Sequence, residues 1–432
     1  MIPIPFLMFV SLIILLLLGI PVAFAIFFTA LIFGLILWGW IGLDVLYKAV
    51  WGTVNNWPLV AYPLFIFMSA LMGSCGLGED IFKAVYTLLG RLRGSLFYVA
   101  IAMGFIIGAM SGSIMAGLSS LALLIYPLMK KYNYPKNMSA ATLITAGLLP
   151  QLVPPACHMI VYGVLTNTSI ARLFAGGLGM ATIMATLFFI YTAIWVRRHK
   201  NLVPVFGART TLHDKLKALG YLVGPVGIII GVLGSIYSGM ATPTEAGAMG
   251  AFLTLVYAAI RRRLNRKSLE EAMITTVKST TIVFIMIASS SAFSAIFNGI
   301  GGKTLVTNML LSLPGGKVSA LLFSLAFLFL LGMFIETTAI IVLAAPILHP
   351  VMVQLGYDPV WFGVMFCTML IVAFVTPPVG EGVLYFSALT NGDISVAEGY
   401  KAVIPFLVLM FITVTLGILF PQAIIFFAEL LT

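Results

Sequence analysis

The stretch SLFYVAIAMGFIIGAMSGSIMAGLSSLALLIYPL, residues 95–128, contains no charged side chain. It is flanked by Arg91 and Arg93 before it and by Lys130 and Lys131 after it. A membrane-spanning helix needs about 20 apolar residues, so 34 residues are too many for one upright crossing. Basic residues at both ends indicate that both ends face the same side of the membrane. The stretch, called hairpin 1 below, is therefore predicted to enter the membrane and return.

The middle of hairpin 1 reads GFIIGAMSGSIMAG at 104–117 and is rich in glycine and serine. Both residue types favour a turn over continuous helix. We expect two half-length helices that meet at Ser111-Gly112-Ser113. Irregular backbone at membrane depth is tolerated only where protein buries it or where it lines a wet cavity. The alternative is one long tilted helix with a small-residue packing face.

Composition places the whole chain in a membrane. Its 432 residues are 61% hydrophobic and 8% charged, with a mean hydropathy of +1.14, which excludes a soluble globular domain. The fold class is predicted to be all-α and polytopic. The N-terminal stretch lacks the basic region and cleavage site of a signal peptide. The three cysteines lie in apolar stretches, which favours neither a disulfide framework nor a zinc cluster.

The chain divides into two similar halves, predicted as repeats 1–196 and 219–432 around a cytoplasmic linker, 197–218. The first half is expected to contain two crossings in 4–40 broken at Gly19-Ile20-Pro21, a loop at 41–56, a crossing at 57–73, an amphipathic segment at 79–93, hairpin 1, a crossing at 139–165 broken at 153–157, and a crossing at 173–196. The second half is expected to contain two crossings in 221–260 broken at 241–243, a crossing at 280–300, an amphipathic segment at 303–317, a second hairpin at 318–349, a crossing at 360–389 broken at 376–382, and a crossing at 403–429.

A single numbering offset of 223 superposes residues that interrupt the helices, chiefly prolines and glycines, in the two halves. It places Tyr134 on Tyr357 and the Pro154-Pro155 pair on Pro377-Pro378. Matches of this kind across several elements indicate an internal repeat of about 200 residues. Each half has five full crossings, an odd number, and its hairpin returns to the side from which it enters, so the two repeats are predicted to have inverted topology.

The distribution of Lys and Arg predicts the orientation. With the N-terminus outside, only Lys48, Arg172, Lys303 and Lys317 fall outside, which leaves 19 of the 23 basic residues in the cytoplasm. The basic run RRRLNRK at 261–267 is then a topological anchor rather than a binding site. Hairpin 1 is expected to open to the cytoplasm and the second hairpin, called hairpin 2 below, to the other side.

Four interruptions are predicted to meet near the middle of the membrane. They are the two hairpin tips and the two Pro-Pro breaks, and such a set points to the binding site of a secondary transporter. Freed carbonyl groups and hydroxyls suit a hard cation such as Na⁺, and the N-termini of half-helices suit a carboxylate. The predicted cation ligands are Ser111, Gly112, Ser113, Pro154, Glu336, Thr337, Thr338, Thr376 and Pro377. The predicted substrate contacts are Ser113, Ala156, His158, Gly380 and Glu381.

Three acidic residues lie at membrane depth, and such residues are candidates for function. Glu336 and Glu381 fall on the predicted tip and break, where they can bind a cation or a proton; the alternative is a carboxylate bonded to backbone amides. For Glu245, next to Pro243, this structural role is favoured. His158 can touch substrate or relay protons, but a packed, hydrogen-bonded histidine is the commoner case.

The motif series as a whole resembles a known family. GAMSGSIMAG, VPPACHMIVYG, GSIYSGMATPTEAGAMGA, GMFIETTAIIVLAAPIL and TPPVGEGVLY, in this order, resemble the DctM-like large membrane subunit of tripartite ATP-independent periplasmic (TRAP) transporters. The resemblance covers nearly the whole chain. It implies an elevator-type transporter of the ion transporter superfamily in the bacterial inner membrane, driven by Na⁺. It also implies uptake of an organic acid, a small four-helix membrane subunit and a periplasmic substrate-binding protein.

Two positions depart from the family pattern. The family usually has Pro-Pro-Ser where this chain has Pro154-Pro155-Ala156, and it often has Asp where this chain has Glu336. Both positions lie at the predicted site, so an atypical substrate is expected.

There are two alternative function classes. One is a self-sufficient Na⁺- or H⁺-coupled dicarboxylate carrier of the same superfamily. The other is an intramembrane enzyme, which is not expected because no nucleophile and base, and no metal cluster, are suitably spaced in the sequence.

Overall fold

The regular secondary structure of the described residues is helical throughout. A computed structural model describes residues 3–90, 92–204 and 211–431. The helices of the first half are α1 (Ile4–Leu17), α2 (Val22–Trp38), α3 (Trp40–Val54), α4 (Ala61–Ser74), α5 (Leu77–Leu89), α6 (Ser95–Ser111), α7 (Ile114–Leu124), α8 (Tyr126–Lys131), α9 (Lys136–Ala146), α10 (Cys157–Thr166) and α11 (Ile170–Arg198), with 3-10 turns at Trp57–Val60, Leu149–Gln151 and Lys200–Leu202.

The second half has a similar succession of elements. Its helices are α12 (Leu212–Tyr237), α13 (Pro243–Ile260), α14 (Arg266–Gly299), α15 (Gly302–Leu311), α16 (Gly316–Gly332), α17 (Thr337–Gln354), α18 (Pro359–Ala373), α19 (Glu381–Leu389), α20 (Val396–Leu419) and α21 (Gln422–Leu430). In the described ranges, seven spans are long and apolar enough to cross a membrane, and the pair α15–α16, bent by 116°, would make an eighth. Arg91, one of the predicted flanking charges, and residues 205–210 of the predicted linker lie outside the described residues.

The predicted interruptions are all present. The chain leaves helix between α1 and α2, between α9 and α10, between α12 and α13, and between α18 and α19. The two Pro-Pro pairs occupy the second and fourth of these breaks, and both Pro-Pro peptide bonds are cis. Since proline lacks a backbone N–H, it removes a helical hydrogen bond wherever it stands inside a helix.

The predicted loop at 41–56 is wrong, because residues 40–54 form α3. This helix packs against α2 and α14, where Gly42 lies so close to Gly34 that a Cβ on Gly42 would approach the Gly34 carbonyl to 2.2 Å. Asp44 and Lys48, which suggested a loop, lie one turn apart on its exposed side and form an ion pair of 2.6 Å. Polar residues on one face of a packed helix were thus mistaken for a connection.

Several predicted boundaries also differ from the structure, among them that of the crossing predicted at 280–300, which belongs to α14 and begins at Arg266. The crossing predicted at 403–429 is two helices, because α20 ends at Leu419 and α21 begins after Pro421. A proline in mid-helix clashes with the preceding turn, which accounts for the break. Helix α12 begins at Leu212, inside the predicted linker, where Thr211 and Asp214 form a reciprocal capping box.

Hairpin 1 reverses direction at Gly112. Helix α6 runs along the broken segment so that Gly104 lies against Ala146 and Gly108 against Pro150. After the turn, Gly117 on α7 lies against Gly147 and again against Pro150, so α7 runs back along the same segment. The two ends of hairpin 1 therefore lie on the same side of the molecule.

Tyrosine side chains close the open ends of both hairpins. At hairpin 1 the Tyr134 hydroxyl accepts a hydrogen bond from the Leu96 backbone N–H at 3.5 Å, and its ring packs on Phe97. At hairpin 2 the hydroxyl of Tyr357 donates to the Lys317 carbonyl at 3.0 Å. The two ends of each predicted hairpin therefore lie close together.

A buried carboxylate anchors α5 to the turn between α13 and α14. Asp80 is 5% exposed at its side chain and accepts hydrogen bonds from Arg261 at 3.1 Å and Arg263 at 3.0 Å. Arg263 also donates to the Gly76 carbonyl at 2.7 Å. Part of the basic run RRRLNRK thus joins the two halves of the chain, because a buried carboxylate needs charged partners.

Candidate functional site

The tip of hairpin 1 is bonded directly to the first Pro-Pro break. Gly112 has φ of +55°, and its carbonyl accepts a hydrogen bond from the Cys157 N–H at 3.3 Å. The two backbones are so close that a Cβ on Gly112 would lie 1.8 Å from the Pro155 oxygen. Only glycine meets both demands, a left-handed conformation and a close approach of backbones.

The tip of hairpin 2 meets the second break in the same way. The Val379 N–H donates to the Met333 carbonyl at 3.3 Å, which parallels the bond between Cys157 and Gly112. Gly380, also left-handed with φ of +48°, ends the break, and the Tyr400 hydroxyl donates to the Val379 carbonyl at 2.6 Å. Each hairpin tip is therefore held by the broken helix of its own half.

Contacts between the halves complete a ring of four interruptions. Thr338, on the tip of hairpin 2, lies 3.3 Å from the His158 Nε2 atom in the first break. Ser119 on α7 lies 2.9 Å from the Tyr385 hydroxyl on α19. The structure thus brings together the starts of α7, α10, α17 and α19, whose N-cap residues are the predicted site residues Ser113, Ala156, Glu336 and Gly380.

These four helix starts define the electrostatics of the site. The first N–H groups of a helix have no partner within it and carry partial positive charge, so the ring offers binding groups to an anion. Ser113, Ala156 and Gly380 make no side-chain cap. Glu336 is the exception, because its carboxylate accepts from the Ala339 N–H at 3.0 Å.

The carbonyl groups of the two breaks are the best candidates for cation ligands. Among the described residues, no hydrogen bond reaches the carbonyl oxygens of Pro154, Thr376 or Pro377. Pro154 and Thr376 are buried. Oxygen ligands of this kind suit a hard cation, so the predicted Na⁺ fits the chemistry of the residues present.

Hydroxyl groups add further oxygen atoms near both tips. Ser111 is buried, and its hydroxyl lies 3.4 Å from the Ser113 N–H. Thr337 is buried at the first turn of α17, and the Thr376 hydroxyl donates to the Val372 carbonyl at 2.8 Å. A hydroxyl that donates elsewhere keeps its lone pairs for a cation.

The two acidic residues of the ring have different surroundings. Glu336 is exposed and accepts hydrogen bonds from the Thr338 hydroxyl at 2.7 Å and from the Ala339 N–H. Glu381, the first residue of α19, is half-buried, and no hydrogen bond to its carboxylate is found in the described ranges. Glu336 therefore has a structural role as a helix cap whatever else it binds, whereas Glu381 is available to a ligand.

His158 and Glu245 are clarified by their contacts. The His158 Nε2 atom is paired with Thr338, but its Nδ1 atom is buried without a partner among the described residues. Glu245 lies away from the ring in the capping box of α13, where it accepts from the Thr242 N–H and hydroxyl, both at 2.8 Å. This is the structural role that the sequence favoured for Glu245.

Sequence reasoning missed Gln151, a polar residue beside the first break. Its side chain is fully buried, and neither its oxygen nor its nitrogen has a partner within the described part of the chain. The 3-10 turn that holds it packs against both helices of hairpin 1. The offset of 223 offered one signal, because the equivalent residue in the second half is the apolar Phe374.

A cavity of about 360 Å³ lies elsewhere, on the face where α10, α11 and α13 meet. Asn56, Asn167 and Thr242 are among its lining residues, and none of the predicted site residues is. The ring of interruptions, rather than this cavity, contains the chemistry that the sequence predicts.

Comparisons with known proteins agree with the geometry. Residues 9–423 match the family described as the tripartite ATP-independent periplasmic transporter, DctM component. The chain is 32% identical over 415 residues to the sialic acid TRAP transporter large permease protein SiaM of Vibrio cholerae, which covers 95% of each chain. It is 30% identical to the isethionate TRAP transporter permease protein DctMQ of Oleidesulfovibrio alaskensis, covering 95% of this chain and spanning 64% of that protein.

A solved structure has the same fold. The crystal structure of the Alcanivorax borkumensis YdaH transporter superposes with a TM-score of 0.59 at 15% identity and covers 89% of this chain and 90% of that one. At this identity the likeness concerns the fold alone.

Proposed function

Starting from the fact that this chain belongs to the DctM component family of tripartite ATP-independent periplasmic transporters, we propose that it carries an organic acid into the cell together with Na⁺. The chain is a membrane protein of a transporter family. The observation that carries the proposal is the ring of four interruptions, which groups four helix starts with carbonyl oxygens, those of Pro154, Thr376 and Pro377, that have no hydrogen-bond partner among the described residues.

An anionic substrate is the best match to the ring. The segments 104–117, 153–158, 332–339 and 376–382 contain no Lys or Arg. A carboxylate there is held by helix N-termini and by any cation bound beside it. The names of two relatives give sialic acid and isethionate, which are both anions, as their substrates.

Coupling to Na⁺ follows from the same arrangement. The N–H groups that take the substrate and the carbonyl groups that take Na⁺ belong to the same two breaks and two tips. A bound Na⁺ strengthens anion binding by direct attraction, and by linkage the anion strengthens Na⁺ binding by the same factor. Substrate and ion therefore bind together rather than separately.

The matching halves support inverted repeats and an elevator movement. Both hairpins end at a tyrosine contact, and both tips bond to a Pro-Pro break. The backbone is left-handed at Asn167, which ends α10, and at Asn391, which follows α19, with φ values of +53° and +51°. In this proposal the two hairpins and two broken helices move as one body against α4, α13 and α14. Inverted repeats at a midplane site are typical of alternating access.

Contacts between distant segments support the grouping of loops into two faces, on which the proposed orientation with the N-terminus outside the cell is built. Arg93 donates to the Lys200 carbonyl at 2.5 Å, and Asp80 pairs with Arg261. Both contacts join segments that the basic residues assign to the cytoplasm. On the other side, the Thr244 hydroxyl donates to the Trp57 carbonyl at 3.5 Å, and both of these residues are assigned outside.

The partners are also proposed from the family. A small membrane subunit and a soluble periplasmic binding protein would complete the system, the second delivering substrate to the outer face. The isethionate relative, of which this chain spans 64%, is named as a DctMQ permease. In this chain the membrane partner would have to come from a separate polypeptide or from sequence beyond these 432 residues.

The test is uptake of labelled organic acids into proteoliposomes. We expect uptake only when the chain, a small membrane subunit, a matched binding protein and an inward Na⁺ gradient are all present. K⁺ in place of Na⁺ is the matched control and should abolish uptake. Robust uptake by this chain alone would overturn the tripartite assignment and favour the self-sufficient carrier, and uptake without any Na⁺ gradient would overturn the coupling.

A further inference from the structure

Each hairpin is bonded to the broken helix of the other half through its returning helix. In hairpin 1 the Ser119 hydroxyl on α7 pairs with the Tyr385 hydroxyl on α19 at 2.9 Å. In hairpin 2 the His349 Nδ1 atom on α17 pairs with the Tyr162 hydroxyl on α10 at 2.7 Å. Tyr162 and Tyr385 occupy equivalent positions, because they are related by the same offset that superposes the two Pro-Pro pairs.

A second contact reinforces each of these bonds, and one residue of each contact is again at an equivalent position. Tyr126, which the same offset places on His349, donates its hydroxyl to the Asp393 carboxylate at 2.8 Å. The His349 Nε2 atom lies 3.4 Å from the hydroxyl of Thr168. Asp393 follows α19 and Thr168 follows α10, so both contacts reach the loop that ends the broken helix. Sequence and geometry thus place a matched pair of attachments on the two hairpins.

The chemistry of the two attachments differs. At hairpin 2, Tyr162, Thr168 and His349 are all buried, and at hairpin 1 Tyr126 is buried as well. The difference lies in the carboxylate that Tyr126 binds. At hairpin 1 the Asp393 carboxylate also binds the Lys130 ammonium at 2.6 Å, and these side chains are 35% and 65% exposed. Breaking the buried contacts would leave polar groups without partners, which is costly. Water replaces an exposed ion pair at little cost.

We propose that a releasable clasp holds hairpin 1 closed, and that hairpin 1 rather than hairpin 2 opens to release substrate. The clasp consists of the contacts among Tyr126, Lys130 and Asp393 and the contact between Ser119 and Tyr385. This inference rests on the proposed transport function. The clasp holds α7, and Ser119 lies on α7 six residues after Ser113 at the tip. Tyr385 and Asp393 are thus positioning residues, which keep the tip of hairpin 1 against the first Pro-Pro break until it opens. The lysine distribution assigns this clasp to the cytoplasmic side, where release has to occur.

Spin-label distances test the clasp without requiring transport. Leu123 on α7 and Leu384 on α19 are 62% and 40% exposed, and cysteines at these two positions can carry nitroxide labels. The native cysteines Cys75, Cys157 and Cys367 are buried and should remain unlabelled. Double electron–electron resonance should give one main distance in the otherwise unchanged protein.

Two variants should release the clasp, and one should not. Asp393→Asn and Tyr385→Phe should each add a second population at a longer distance. Lys48→Gln is the matched control, because Lys48 forms an exposed pair of 2.6 Å with Asp44 on α3, which is not part of hairpin 1. The clasp is refuted if both variants keep the single distance, or if Lys48→Gln adds the same second population.

The corresponding labels on hairpin 2 test which hairpin opens. Val353 at the end of α17 and Ile190 on α11 are 40% and 51% exposed, and they report on hairpin 2 in the same experiment. We expect this pair to keep one distance in Asp393→Asn and in wild type, with and without Na⁺. A second population on hairpin 2 and none on hairpin 1 would overturn the inference that hairpin 1 is the one that opens. If the spin-label results are as expected but the uptake experiment fails, only the proposed transport function is contradicted.

Discussion

Replacing Gly112 with alanine should separate the tip of hairpin 1 from the first Pro-Pro break. The added Cβ would lie 1.8 Å from the Pro155 oxygen, and real Cβ atoms essentially never approach closer than 3.0 Å. The backbones must therefore move apart until this contact opens from 1.8 Å to at least 3.0 Å. The bond between the Gly112 carbonyl and the Cys157 N–H, already 3.3 Å long, does not survive such a shift.

The magnitude follows from two separate costs. Alanine in a left-handed conformation costs about 1–2 kcal/mol wherever it occurs. A misplacement of about 1 Å in a site built for one geometry costs about 100-fold in rate. Gly239 is the matched control, because its φ of +69° imposes the same strain while nothing lies within 4 Å of its Cβ position.

Initial rates of Na⁺-driven uptake in proteoliposomes, per reconstituted protein, measure the difference. We expect Gly112→Ala to lose about 100-fold or more in rate. Gly239→Ala should transport within about twofold of wild type, since it has the strain and not the clash. Thermal unfolding should show that both variants are folded. Equal uptake by the two variants would refute the argument that the close approach at Gly112 forms the site.

Three further outcomes are expected. Asp80→Asn should destabilise the protein by about 2–3 kcal/mol, which is below the usual 3–5 kcal/mol for a broken buried pair because Arg261 is one-third exposed. Asp44→Asn, which breaks an exposed pair with Lys48, should change the free energy of unfolding by less than about 0.5 kcal/mol. Equal effects of the two variants in thermal unfolding would contradict a role for burial. Glu336→Gln should raise the Na⁺ half-saturation for uptake at least about tenfold, because an amide replaces a charge beside the proposed cation; an unchanged half-saturation would remove Glu336 from the ion site. Hydrogen bonds from Lys130 and Tyr126 lower the pKa of Asp393. The stability that this carboxylate adds is therefore present above its unfolded pKa of about 3.9 and is lost as the pH falls through its folded pKa. The difference in unfolding midpoint between wild type and Asp393→Asn should be constant from about pH 8 to 5 and vanish in stronger acid, and a difference already lost at pH 6 would contradict this.

Most of the fold was predictable because interruptions in an apolar chain carry a strong signal. A proline pair or a Gly-Ser cluster within a long apolar run stands out, and the offset of 223 tied each one to a partner. Residues 41–56 failed for the opposite reason. Asp44 and Lys48 appear in the sequence as a polar gap, and only the packing of α3 against α14 explains why that gap is a helix.

The backbone interruptions of the candidate site could be predicted from the sequence, and the side-chain contacts around them could not. Gly112 and the prolines were identified, since their conformational limits can be seen in the sequence alone. The partners of Ser119, His349 and Asp80 come from segments 181 to 266 residues away, and no local pattern specifies such contacts. Gln151 was missed because a single buried amide next to apolar residues has no spacing that marks it.

The four helix starts at the ring have a consequence for how this transporter can evolve. The groups proposed to hold the charge of the substrate are backbone N–H groups, which every residue except proline supplies. If an anion is held in this proposed way, a mutation at Ala156 or His158 would change the size and shape that the site accepts without removing the groups that bind the charge. New specificities are reachable by single substitutions, whereas the glycines and prolines that create the helix starts have no comparable freedom.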